Sequence, residues 1–112
     1  MIWIVDDVET KPGMGPAFLD AYLARYAPGS EARRLRLIRQ MVEPAMWLDD
    51  APNRLLLIWE ADDAGVVWGA KHQARQDESV TRWWTDEAPA YLLSRRRSTM
   101  ASADQIETLT NV

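Results

Sequence analysis

Five consecutive residues, Leu55-Leu56-Leu57-Ile58-Trp59, constrain this chain more than any other feature. An apolar run of strand length without alternation has to be covered on both faces, so it belongs in the middle of a sheet rather than at its edge. The residues that follow, Val66-Val67-Trp68-Gly69-Ala70-Lys71-His72 and then Val80-Thr81-Arg82-Trp83-Trp84, read as one helix and a shorter second one. Four of the six tryptophans and the single histidine lie between Asn53 and Trp84, which makes this stretch the first place to look for chemistry.

The remaining elements follow from the same signals. Ile2 to Val8 is β-branched and aromatic at its start and predicts a strand over 2–8. Two prolines and two glycines between Thr10 and Pro16 interrupt both ladder and helix. This segment lacks the Gly-Lys-Ser/Thr ending of a phosphate loop, which argues against that use of its glycines. Phe18, Leu19, Tyr22, Leu23 and Tyr26 recur at helical steps and predict a helix over 16–26, with Ala27-Pro28-Gly29 as its stop.

A second strand is expected over 34–43, where Arg34, Arg36 and Arg39 suit an edge. Met46, Trp47 and Leu48 in the next loop are too apolar to stay in water and are expected to fold back on the body or on a partner. The third strand covers 54–60. A helix over 63–76 follows, capped by Asp62 or Asp63, with Ala64, Val67, Ala70 and Ala74 on one small face and Trp68, His72 and Arg75 on a flank. Asp77 or Ser79 caps a short helix carrying Trp83 and Trp84, Ala88-Pro89 ends it, and a fourth strand spans 91–100.

The order β-α-β-β-α-β predicts an α+β, ferredoxin-like sandwich, with an antiparallel sheet in the order 4-1-3-2 and two helices on one face. Strands one and three, the more apolar pair, then fall in the centre, and the two arginine-bearing strands at the edges. Strand four pairs with strand one, which brings Arg95 and Arg97 near Asp6 or Asp7. The expected organisation is one domain over 1–101 and a polar tail or dimer arm over 102–112.

A chain with this order, a Trp-rich second helix and a short helix before strand four resembles the dimeric α+β barrel superfamily. The stretch Val67 to Asp77 followed by Trp83-Trp84 looks like its antibiotic-biosynthesis-monooxygenase-like and NIPSNAP-like branches. The resemblance implies a homodimer joined through its sheets and a small hydrophobic substrate held between sheet and helices. It implies no single reaction, because such folds host oxygenation, haem degradation, isomerisation, cyclisation and dehydration. Haem-degrading members resemble this chain in a tryptophan and a histidine near the second helix, here Trp68 and His72. They also use an asparagine on strand one, where this chain has Trp3, Asp6 and Asp7, and that departure argues against haem.

Charge and composition exclude several classes. The net charge of −4 gives no general attraction for nucleic acid or anionic membrane, and no run approaches the roughly 20 apolar residues of a membrane span. The N-terminus carries no signal-peptide pattern, and a cytoplasmic protein is the expectation. Without cysteine, and with one histidine, thiolate nucleophiles and Cys/His metal sites are impossible, and no cofactor is expected.

The candidate catalytic residues are therefore His72 as general acid or base, Arg95 and Arg97 as holders of developing negative charge, and Tyr22 as a second oxyanion donor. Trp59, Trp68, Trp83, Trp84, Phe18 and Arg39 are candidates for substrate contact. Each has a structural alternative: a helix-flank histidine, arginines in edge-strand ion pairs, aromatic residues in the core. The preferred expectation is a small cofactor-free enzyme acting on an aromatic or polyketide-like molecule by proton transfer or cofactor-independent oxygenation. A non-catalytic ligand- or partner-binding dimer is the rival.

Overall fold

The computed structural model describes residues 1–106. Its sheet consists of β1 (Ile2–Thr10), β2 (Arg36–Glu43), β3 (Arg54–Ala61) and β4 (Leu92–Ala101) in the order β2-β3-β1-β4, with every pair antiparallel. This is the predicted α+β, ferredoxin-like arrangement, with the apolar strands central and the arginine-bearing strands at the edges. Burial alternates along β1 and β3, so Ile2, Ile4, Asp6 and Val8 share the covered face with Leu55, Leu57, Trp59 and Ala61.

The opposite face carries Trp3, Val5, Leu56 and Ile58 half buried and Met41 and Met100 exposed, with no layer over it among the described residues. Arg36 bonds Glu60 at 2.9 Å and Arg54 grips Asp7 at 2.8 and 2.9 Å on this side. The Asp7 carboxyl is held below its ordinary range chiefly by that Arg54 hydrogen bond.

The first helical segment departs from expectation. It does not stop at Ala27 but runs as α1 (Gly15–Ala21), a π-helical turn over Tyr22–Tyr26 and α2 (Ala27–Ala32). The Ala27 N–H reaches back five residues to the Tyr22 carbonyl. The wide turn starts a fresh α segment with Pro28 in its first turn, where a missing N–H costs nothing.

The true stop is a Schellman motif. Leu35 N–H bonds the Ser30 carbonyl, Arg34 N–H bonds that of Glu31, and Arg34 sits at φ 70°. Arg34 therefore closes a helix instead of opening β2 as an edge residue, and its neighbour Arg33 is buried against Ser30, 3.2 Å away.

Asp63 caps α3 (Ala64–Gln76) by accepting from Val66 N–H, and Asp77 caps α4 (Glu78–Arg82) by accepting from Ser79 N–H. Both caps were expected. A second π turn (Trp83–Glu87) and a short 3₁₀ turn (Ala88–Ala90) lead into β4.

The glycine-rich segment serves packing. A Cβ on Gly13, at φ +72°, would lie 2.5 Å from the Asp49 carbonyl oxygen, and one on Gly15 would lie 2.7 Å from the Trp47 ring. Buried Asn53 fastens the same loop, accepting from Leu48 N–H and donating to the Glu43 and Met46 carbonyls. Leu48 thus folds back half buried, as expected; Trp47 lays its ring against Gly15 yet stays 40% exposed, and Met46 is exposed.

No helix among the described residues is long and apolar enough to cross a membrane. Of the tail or arm expected over 102–112, Ala103–Gln105 forms a 3₁₀ turn, and residues 107–112 lie outside the described residues.

Candidate functional site

The even-numbered face of β1 puts Asp6 where its neighbours are Ile4 and Val8, and Asp6 is 0% exposed. A carboxylate removed from water in this way persists only if it is paired and hydrogen bonded. The register supplies the pair: Arg97 lies directly across on β4 and donates from Nε to Oδ1 at 2.7 Å and from Nη2 to Oδ2 at 2.8 Å. This fork is the bidentate geometry that suits guanidinium and carboxylate.

The helical layer completes the network. Tyr22 donates its hydroxyl proton to Asp6 Oδ2 at 2.8 Å and accepts from Trp59 Nε1 at 2.6 Å, while Arg97 also donates to the Tyr26 hydroxyl at 2.6 Å. The π turn places Tyr22 and Tyr26 side by side, with ring centroids 5.1 Å apart, so that both hydroxyls meet one ion pair.

Electrostatics follows from this burial. Burial, and after it the Asp6 charge, pushes the Tyr22 phenol well above its ordinary range, so Tyr22 is a proton-bearing donor throughout the physiological range. Burial alone would pull the Arg97 guanidinium down, but the hydrogen bonds and charge of Asp6 outweigh it and hold Arg97 above its usual value.

Arg95 is different. Its guanidinium lies 3.5 Å from the centroid of the Trp84 ring, a cation–π stack, and no carboxylate lies within ion-pairing distance of it among the described residues. Burial, offset in part by Asp6, pulls its pKa below the ordinary arginine value. Beside it opens a cleft of about 180 Å³ lined by Trp84, Ala88, Pro89, Leu92, Leu93, Ser94 and Arg95. The indole N–H groups of Trp83 and Trp84 are buried and have no acceptor among the described residues.

The structure therefore brings Tyr22, Arg95, Arg97 and Trp84 into one corner, backed by Phe18, Trp59 and Trp83, which are enclosed in the aromatic core. It does not bring the other three candidates there. His72 is exposed on α3, and its side-chain hydrogen-bonding contact is with Gln76 Nε2 at 3.4 Å. Trp68 is 62% exposed with Lys71 over its ring at 4.8 Å, and Arg39 is exposed on β2 and donates to the Ile38 carbonyl.

Asp6 and Tyr26 belong to the corner and were not singled out as site residues. A single acidic residue on the buried face of an otherwise apolar strand is the signal that marks Asp6. Among the described residues, no group of three or more His, Asp or Glu side chains is placed to hold a metal ion.

No protein-family model matches the chain, and no curated protein matches it in sequence. Solved structures do. A NIPSNAP domain protein from Burkholderia xenovorans superposes with a TM-score of 0.70 at 16% identity, over 92% of this chain and 95% of that one. A NIPSNAP-like domain protein from the same organism gives 0.69 at 10% identity, over 90% and 84%. A NIPSNAP family protein of unknown function from Agrobacterium tumefaciens gives 0.66 at 11%, over 92% and 88%. At these identities the likeness concerns architecture alone: the chain has the ferredoxin-like α+β fold of NIPSNAP proteins, as the sequence resemblance implied.

Proposed function

We propose that the chain is a homodimeric, cofactor-free enzyme that acts on a small hydrophobic molecule, aromatic or polyketide-like, by proton transfer at the Asp6–Arg97–Arg95–Trp84 corner. One observation carries this reading: Arg95 is a guanidinium without a carboxylate partner among the described residues, stacked on an indole at the mouth of an apolar cleft. A cation stacked on a ring at the edge of apolar surface is placed to stabilise negative charge that develops on a substrate oxygen, and the more so once the bound substrate displaces water from it.

Loss of a proton from a carbon beside a carbonyl, or from a phenol, creates that charge, and isomerisation, cyclisation, lyase chemistry and cofactor-free oxygenation all begin there. Arg95 holds the oxyanion. Asp6 with Tyr22 keeps Arg97 in place, and the buried Tyr26 hydroxyl steadies it further by accepting from Nη2. His72 is outside the corner, so in this reading the proton departs to solvent. The uncovered sheet face, with Trp3, Val5, Leu56 and Ile58, supports a dimer in which a second copy covers it.

The rival reading, a binding module without turnover, is favoured by the small cleft and the absence of His72 from it. Deuterium incorporation separates the two. With ethyl benzoylacetate in D₂O, wild-type protein is expected to accelerate exchange of the activated C–H, and Arg95→Gln to lose about a hundredfold of that acceleration. Exchange at the buffer rate, with the ester still bound, would establish the binding module.

A further inference from the structure

The corner has a definite charge count. Asp6 contributes one negative charge, Arg95 and Arg97 one positive charge each, and Tyr22 and Tyr26 are neutral phenols. The nearby Arg25–Glu87 pair, bonded at 3.1 Å, cancels itself. Both Asp6 oxygens are committed to Arg97, so the remaining unit of positive charge resides on Arg95 at the cleft.

The lining adds no other charge. Trp84, Ala88, Pro89, Leu92 and Leu93 present hydrocarbon or a ring face, Ser94 adds a neutral hydroxyl, and the Trp84 indole N–H is a buried donor without an acceptor among the described residues. The cleft, at about 180 Å³, is smaller than the ~300–1,000 Å³ of sites for drug-sized ligands, which limits it to about one ring.

We propose that the Trp84–Arg95 cleft selects single-ring or similarly small hydrophobic compounds carrying one negative charge, such as an arene carboxylate or an enolate, and that Asp6 sets this preference. The inference deepens the function proposed above and rests on the same cleft being the site. A neutral ligand seated against Arg95 displaces water from an exposed guanidinium and gives it no counter-charge. A dianion brings a second charge with no cation left to meet it, because Asp6 has already neutralised Arg97. Asp6 touches no ligand in this account; it is a positioning residue that acts through Arg97.

Three probes of similar size decide the matter: benzoate, phenyl phosphate as its dianion at about pH 8, and benzyl alcohol. Binding is read from the indole N–H resonance of Trp84, identified by its loss in Trp84→Phe. Wild-type protein is expected to bind benzoate about tenfold more tightly than either of the others, the least that one charge-assisted hydrogen bond contributes. Arg95→Gln should bring benzoate down to benzyl alcohol. Asp6→Asn, which raises the count to two positive charges, should reverse the order of benzoate and phenyl phosphate.

Should Asp6→Asn fail to fold, the wild-type and Arg95→Gln series still decide. Equal binding of benzyl alcohol, or tighter binding of phenyl phosphate by wild-type protein, overturns the proposal. Absence of any shift with all three probes overturns both this inference and the assigned site. Benzoate preference without C–H exchange upholds the charge rule and removes only the enzyme.

Discussion

Replacing Arg97 by methionine tests the buried ion pair directly. Asp6 is 0% exposed and receives three side-chain hydrogen bonds, two from Arg97 and one from Tyr22. Arg97→Met removes the two charged donors and leaves a carboxylate beneath a helical layer with a single phenol. Breaking a buried pair from one side costs about 3–5 kcal/mol. The Arg97 side chain is 29% exposed, so water reaches part of the vacated space and the lower end, about 3 kcal/mol, is the expectation.

That is a large share of the ~5–15 kcal/mol total of a domain. It corresponds to a urea midpoint lower by roughly 1.5–3 M, at an m-value of about 1–2 kcal/mol/M, with protomer concentration held constant. Tryptophan fluorescence and far-UV circular dichroism should report the same midpoint. Asp6→Asn should cost less, because Arg97 is then left at an edge where water can solvate it. A loss below about 1 kcal/mol for Arg97→Met, the size of a surface pair, would mean that Asp6 is hydrated in solution and would refute the reasoning.

Three further outcomes are expected. Because the folded-state pKa of Tyr22 is raised above its unfolded value, its contribution is complete below about pH 10 and is lost as pH rises further. Urea midpoints measured across that range should fall more steeply for wild-type protein than for Tyr22→Phe. Gly13→Ala should destabilise by about 1–3 kcal/mol, since φ +72° and the Asp49 carbonyl both oppose a Cβ, whereas Gly69→Ala, with nothing within 4 Å, should stabilise by about 0.5–1 kcal/mol; thermal melts compare the two. Light scattering should give twice the 12.8 kDa chain mass for wild-type protein and a single chain mass for Ile58→Lys, which places a charge on the uncovered sheet face.

The sheet was legible because burial leaves a direct trace in strands: the continuous run Leu55 to Trp59 requires a central position, and the arginines of β2 and β4 mark edges. Topology brought Arg95 and Arg97 near Asp6 or Asp7, and the observed register selects Arg97 with Asp6. The helices were less transparent. Tyr22 and Tyr26 are four residues apart, a spacing that reads as ordinary α-helix, and nothing in it announces the π turn that aligns their hydroxyls. The Ala-Pro-Gly stop failed for the same reason, since the turn shifts the hydrogen-bond register before Pro28 arrives.

The position of His72 was legible in principle. The periodicity that buries Val67 and Ala70 places Trp68 and His72 on the other flank of α3, towards water. Scarcity in the sequence drew attention to the lone histidine. Helix phase was the stronger clue.

The π turn between α1 and α2 also bears on how this chain tolerates changes in length. One residue more than an α-turn can hold is absorbed there, so the segments on either side keep their own phase. Removing that spare residue from between Tyr22 and Ala27 would restore regular winding and leave α2, the Schellman closure at Arg34 and the start of β2 close to where they are. What it would change is the turn itself, where Tyr22 and Tyr26 would lose the spacing that brings both hydroxyls to Asp6 and Arg97. The helix therefore carries its spare residue next to Asp6, where a deletion disconnects the ion pair from a tyrosine without moving the edge strand.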